Sequence, residues 1–178
     1  MKLIDDLKND IEQQDERLKR TGLFIGKMLI AGLVFQTILY IYPSTYGIQS
    51  FLASVSASGL DLLGIHMTHE SFMVIGPKQV YVITQDCLGW KSMAALTALI
   101  FASSESLRQH WKTLLGGLIF IAVLNYIRIL TTIYLSYIGL ISFDIIHTLF
   151  WKWGLTFAVL SIWILWFQRY NKTDQEAI

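Results

Sequence analysis

The apolar residues of this chain are concentrated in four long blocks separated by polar segments. The blocks are 22–42, 88–103, 113–141 and 148–168. Three of them approach or exceed the roughly 20 residues that a helix needs to cross about 30 Å of hydrocarbon. The block 88–103 is shorter but largely uncharged. This pattern predicts an all-α, polytopic transmembrane helical bundle with four to six spans.

The segment between the first two blocks, 43–86, carries two further patterns. Apolar residues recur at helical spacing over 48–65 with serines between them, which favours an interfacial helix; a re-entrant pair is the alternative, and a true span would raise the number of crossings. Residues 72–84 are rich in β-formers on both sides of Gly76-Pro77, which predicts a small hairpin on the outer face, before the cysteine.

Composition supports a membrane protein. Hydrophobic residues make up 54% of the chain and charged residues 15%, whereas soluble domains carry about 25% charge. We divide the chain into a charged, helix-favouring tail (1–20), one membrane-embedded domain (21–170), which contains the candidate catalytic residues discussed below, and a short C-terminal tail (171–178). The apolar run after the first tail is longer than a secretory signal and lacks a small-residue cleavage site, so we expect a retained signal-anchor. The net charge of +1 gives no indication of nucleic-acid binding.

Basic residues are distributed unevenly among the loops. Five of the 14 Lys and Arg residues lie in the N-terminal tail, two in the loop 103–112 and two after the last block, while 43–86 contains only Lys78. By the positive-inside rule, both termini and the 103–112 loop are cytoplasmic. The sequence therefore predicts a multi-pass protein of the cytoplasmic membrane, with 43–86 on the extracytoplasmic side.

Arg128 lies within an otherwise apolar run. An arginine at the centre of a membrane helix costs about 2.5–3.5 kcal/mol on insertion scales, and such residues commonly mark functional sites; a snorkelling or packing role is the alternative. Asn125, Arg128, Thr132 and Ser136 form one polar stripe, which we expect to face the interior of the bundle.

The single cysteine, Cys87, lies in the segment DCLGWKS at the head of the second block. A lone membrane cysteine is more often a small hydrophobe than a nucleophile. Its neighbours Asp86 and Gly89, and the helix predicted to begin just after it, favour a functional role, since a helix N-terminus and a nearby cation both stabilise a thiolate.

His147 precedes the last block, where an interfacial structural histidine is the alternative to a functional one. The predicted topology directs Cys87, Arg128 and His147 to the same membrane face. A thiol, a fixed cation and an imidazole are the components of covalent acyl transfer. His66 and His69 are spaced like a helical metal pair but lack evident partner ligands, so we predict no metal and no cofactor.

These residues give the chain a resemblance to the exosortase/archaeosortase family of membrane cysteine transpeptidases. The resemblance covers about residues 70–168 and rests on three elements in order: Cys87-Leu88-Gly89 followed by Ser92, then Asn125-Tyr126-Ile127-Arg128, then His147. It implies that Cys87, Arg128 and His147 are catalytic, with Asn125, Asp86, Gly89 and Ser92 in support.

The resemblance also implies a substrate class. Exported proteins whose C-termini carry a short signal, a transmembrane helix and a basic tail would be cleaved at the outer face and transferred, through a thioacyl intermediate, to a lipid or cell-surface acceptor. Two alternatives remain open at this point: a non-enzymatic small subunit of a transporter or assembly complex, and a lipid-modifying acyltransferase.

Overall fold

The computed structural model describes residues 2–42, 44–104, 107–140 and 152–176. These residues are mostly helical, with a small sheet inserted between the second and third helices. Short 3₁₀ turns at Gln85–Leu88 and Leu107–His110 precede α3 and α4. The helices are α1 (Lys2–Ile41), α2 (Tyr46–Leu62), α3 (Trp90–Ser103), α4 (Trp111–Tyr137) and α5 (Lys152–Glu176).

Two helical segments of the described chain are long and apolar enough to cross a membrane by length and composition: Gln13–Ile41 and Arg108–Tyr137. The helix α3 is apolar but shorter, at 14 residues. The predicted all-α character is confirmed, whereas the number of crossings stays a prediction. The predicted boundary near residue 20 does not interrupt α1, which is continuous from the charged tail into the apolar run.

The apolar helix α3 lies at the centre of the membrane bundle and contacts α1, α4 and α5. Leu96 and Ile100 of α3 are fully buried and pack with Ile121 of α4 and Val159 of α5. Gly117 of α4 allows this approach, because a Cβ there would lie 2.7 Å from the Leu96 side chain. Small residues of this kind let membrane helices pack closely.

Polar contacts fix the C-terminal end of α3 to its neighbours. Lys27, which lies inside the first apolar block, donates from Nζ to the carbonyl of Ser104 at 2.7 Å. Trp163 of α5 donates from Nε1 to the hydroxyl of Ser103 at 2.9 Å. The last carbonyls of a helix lack intrahelical partners. Lys27 therefore provides a hydrogen-bond donor for the carbonyl at the end of α3, and its own charged group has a polar partner within the protein.

A second core joins α2, the sheet and the C-terminal half of α4. Ala53, Ala57 and Leu60 of α2 are buried there together with Ile129 and Ile133 of α4. The helix predicted over 48–65 is therefore confirmed as a helix, with one face buried against protein. Its position at the membrane surface stays a prediction.

The predicted hairpin is confirmed and is part of a larger sheet. The strands β1 (Thr68–Glu70), β2 (Met73–Ile75) and β3 (Val80–Val82) form an antiparallel sheet in that order. The strand β1 was not predicted, because its three residues are all exposed and show no apolar alternation. His69 lies in this strand and His66 before it, so the two histidines do not share a helix.

Candidate functional site

Cys87 lies at the junction between the sheet and the membrane bundle. The chain leaves β3, passes Thr84 and enters the 3₁₀ turn Gln85–Leu88. The Cys87 amide donates to the Thr84 carbonyl at 3.0 Å, and the Thr84 hydroxyl lies 3.4 Å from Sγ. The thiol is half-buried and not in a disulfide. A free, partly accessible thiol held in a tight turn fits a nucleophile better than a buried hydrophobe.

Gly89 separates this turn from α3 and makes a close contact with α4. Its φ of +70° lies in the left-handed region, which L-residues with a side chain rarely adopt. A Cβ at this position would lie 2.8 Å from Cγ of Asn125. Two independent constraints, backbone conformation and space, therefore require glycine here.

Asn125 of α4 connects Cys87 to Arg128. Its Nδ2 donates to the backbone carbonyl of Cys87 at 2.7 Å, and its Oδ1 accepts a longer bond from Arg128 Nη1 at 3.4 Å. The side-chain amide thus acts as donor and acceptor at once. The cysteine turn is held against α4 by this residue, and the guanidinium is held beside it.

Arg128 is a buried cation. Arg128, Asn125 and Thr132 are respectively 8%, 2% and 5% exposed, so these three members of the predicted polar stripe are buried between elements of the protein. Ser136, the fourth, is half-buried. The Arg128 guanidinium places a positive charge close to Cys87 and Asp86.

Cys87 and Arg128 line the same crevice between β3 and α4. Its volume is about 30 Å³, which is enough to admit a group the size of a water molecule. Its remaining walls are mostly apolar and comprise Tyr81, Val82, Ile83, Ile129, Thr132 and Ile133.

The other supporting residues lie around this centre. The carboxylate of Asp86 forms an exposed ion pair with Lys91, in the first turn of α3. Pairs of this kind contribute about 0–1 kcal/mol, so this one orders the turn only weakly. The amide of Ser92 donates to the Gly89 carbonyl at 3.1 Å, in the first turn of α3.

His147 lies outside the described residues, so its predicted place at this site stays a prediction. Within the described part of the chain, no three His, Cys, Asp or Glu side chains are grouped so as to hold a metal ion.

Two residues at the site, Thr84 and Val82, were not predicted from the sequence. Thr84 provides a hydroxyl beside Sγ, and Val82 forms part of the crevice wall. The β-rich pattern of 72–84 placed both near the cysteine in the chain. The contact of β3 with the crevice depends on how the sheet packs against α4. The periodicity of apolar residues along the chain does not specify this packing.

The comparisons with known proteins identify the family of this chain. The family model for transmembrane exosortases matches residues 15–167. No curated protein and no solved structure matches the chain. The range that the family model matches covers most of the chain. The chain is therefore a member of the transmembrane exosortase family.

Proposed function

We propose that this membrane protein is a cysteine transpeptidase that cleaves C-terminal sorting signals from exported proteins at the outer face of the cytoplasmic membrane. The observation that carries the proposal is the shared crevice of Cys87 and Arg128, with Asn125 bonded to both residues. The family match supports an exosortase-like function in a membrane. A nucleophile beside a buried, permanently charged group is the arrangement that acyl transfer uses.

In the first step, the Cys87 thiolate attacks the carbonyl carbon of the scissile peptide bond. Arg128, beside the thiol, stabilises the thiolate before attack and the oxyanion after it. When the tetrahedral intermediate collapses, the carbon–nitrogen bond breaks and the amine departs with the transmembrane helix of the substrate. His147 donates the proton that this amine requires. A thioester on Cys87 remains.

In the second step, an acceptor resolves the thioester. A nucleophile on a lipid or cell-surface component attacks the thioester carbonyl, His147 takes its proton, and the carbon–sulfur bond breaks to regenerate the thiolate. The exported protein is then joined to the acceptor. This reaction consumes no oxidant or reductant, and the side chains of this protein supply both proton transfers.

The experiment that tests this function uses a tail reporter, which we define as a soluble domain fused to a C-terminus from the same genome that carries a short signal, a transmembrane helix and a basic tail. We expect Cys87→Ala and Cys87→Ser to abolish processing of the co-expressed tail reporter while the protein stays inserted and abundant. Normal processing by the alanine variant would overturn the proposal.

Two further measurements test the covalent intermediate and the proton donor. Mass spectrometry of the Cys87 adduct trapped with the tail reporter should show a peptide thioester; a fatty-acyl thioester would indicate a lipid-modifying enzyme instead.

His147→Ala should slow processing, because the leaving amine loses its proton donor. Wild-type turnover in that variant would remove the histidine from the mechanism and leave Cys87 and Arg128 in place.

A further inference from the structure

The strand β3 forms one edge of the sheet, and its hydrogen-bonding pattern can be read from the register. Ile83 donates to Phe72 and Gly76 donates to Gln79 across the β2–β3 pair, both at 2.9 Å. Residues of an antiparallel pair alternate between facing the partner strand and facing away from it. The amides and carbonyls of Val80 and Val82, which pair in register with Ile75 and Met73, therefore point away from β2.

This outer edge of β3 is open in the described part of the chain. The sheet order places β3 at the end, and no further strand among the described residues pairs with it. Val80 is 55% exposed and Val82 48% exposed, while Tyr81 between them is buried. An edge of this kind, with β-branched residues and unpaired main-chain groups, is a template for another extended chain.

The open edge leads directly to the nucleophile. Val82 and Cys87 line the same crevice. A peptide whose carbonyl reaches Cys87 must approach this crevice, and β3 forms one of its walls.

We infer that the residues preceding the scissile bond of the substrate bind as a fourth strand along the outer edge of β3, through main-chain hydrogen bonds to Val80 and Val82. This inference rests on the proposed transpeptidase function. Strand addition of this kind provides affinity through the backbone, and alternate side chains provide specificity. The substrate class is thus a peptide that is extended immediately before its cleavage site.

The membrane sets the direction of the bound strand. The residues that follow the scissile bond lead into a transmembrane helix, so they must turn from Cys87 towards the bilayer. The residues before the scissile bond therefore occupy the β3 edge, and their chain direction is towards Cys87. Because β3 also runs towards Cys87, the substrate strand is parallel to it.

The test is Val82→Pro compared with Val82→Ala. Proline removes the outward-facing amide without removing a bond to β2, and proline is tolerated at edge strands whose amide faces solvent. Alanine removes the side chain but keeps the amide. We expect Val82→Pro to process the tail reporter about tenfold more slowly than Val82→Ala, as the loss of one main-chain hydrogen bond predicts. Equal rates for the two variants would overturn the inference.

Photocrosslinking provides a readout that does not depend on proline being tolerated. A benzophenone amino acid replaces Val82 in the Cys87→Ala background, where the tail reporter cannot turn over. The matched control replaces Leu62, which is 89% exposed at the end of α2. We expect crosslinks to the tail reporter from position 82 in excess of those from position 62. Absence of crosslinks from position 82 would overturn the inference.

These results distinguish the two proposals. If Cys87→Ala abolishes processing while Val82→Pro behaves like Val82→Ala and position 82 forms no crosslink, the transpeptidase function stands and the strand-addition inference falls. If Cys87→Ala processes the tail reporter normally, the function itself falls, whatever position 82 shows.

Discussion

Asn125 on α4 holds the backbone of the cysteine turn: its Nδ2 donates to the carbonyl of Cys87 at 2.7 Å, across 38 residues of sequence. The same amide accepts from Arg128 at 3.4 Å. Asn125 is therefore a positioning residue for both the thiol and the guanidinium.

Asn125→Ala should lower processing of the tail reporter about tenfold, because the Cys87 carbonyl loses its donor and the guanidinium loses a fixed neighbour. Arg128 and Cys87 themselves remain. Thr131→Ala is the matched control, since the Thr131 hydroxyl bonds only to carbonyls of its own helix in the described structure. Processing rates are normalised to the amount of inserted protein. Equal rates for the two variants would show that Asn125 does not position the site.

Gly89→Ala should lower both processing and stability by more than the addition of one methyl group normally does. Alanine at φ +70° costs about 1–2 kcal/mol in the left-handed region, and its Cβ would lie 2.8 Å from Asn125. We expect loss of processing together with a lower unfolding temperature in detergent. Gly116→Ala on α4 serves as control, because nothing lies within 4 Å of a Cβ there. A Gly89→Ala variant as stable and active as the control would contradict the close packing described here.

Arg128→Lys keeps the positive charge but loses the planar guanidinium, which presents several donors in a fixed geometry. If Arg128 stabilises the oxyanion, the rate should fall about a hundredfold, as expected for loss of one oxyanion donor. The control is Arg108→Lys, at an exposed position before α4. Reaction of Cys87 with a small membrane-permeant alkylating reagent reports separately on the thiolate. Full processing by Arg128→Lys would reduce the role of this residue to that of a simple charge.

The predicted topology can be tested by labelling with an impermeant maleimide in intact cells. We expect Cys87 to react from the outside, because it follows the 43–86 segment. Two cysteines introduced into the Cys87→Ala background calibrate the measurement: Thr68→Cys in the exposed β1 should react, and Gln109→Cys before α4 should react only after the cells are opened. If Cys87 and Thr68→Cys are both protected in intact cells, the predicted orientation is wrong.

Much of the fold could be predicted from local patterns. The apolar blocks gave the positions of α1, α3 and α4, and the β-rich residues around Gly76-Pro77 gave the β2–β3 hairpin. These features depend on hydrophobic periodicity and on turn residues, which act over a few positions of the chain. The strand β1 was missed for the same reason, since three exposed residues carry no such pattern.

The sequence by itself determined which residues carry unusual chemistry: a single thiol, an arginine in an apolar helix, and a glycine two residues after the cysteine. Tertiary structure decided how they meet. The hydrogen bond from Asn125 to Cys87, the contact of Gly89 with α4, and the place of β3 beside the crevice all join segments far apart in the chain. Such contacts arise from the packing of α2, the sheet and α4 around one core, and local patterns of polar and apolar residues do not specify that packing.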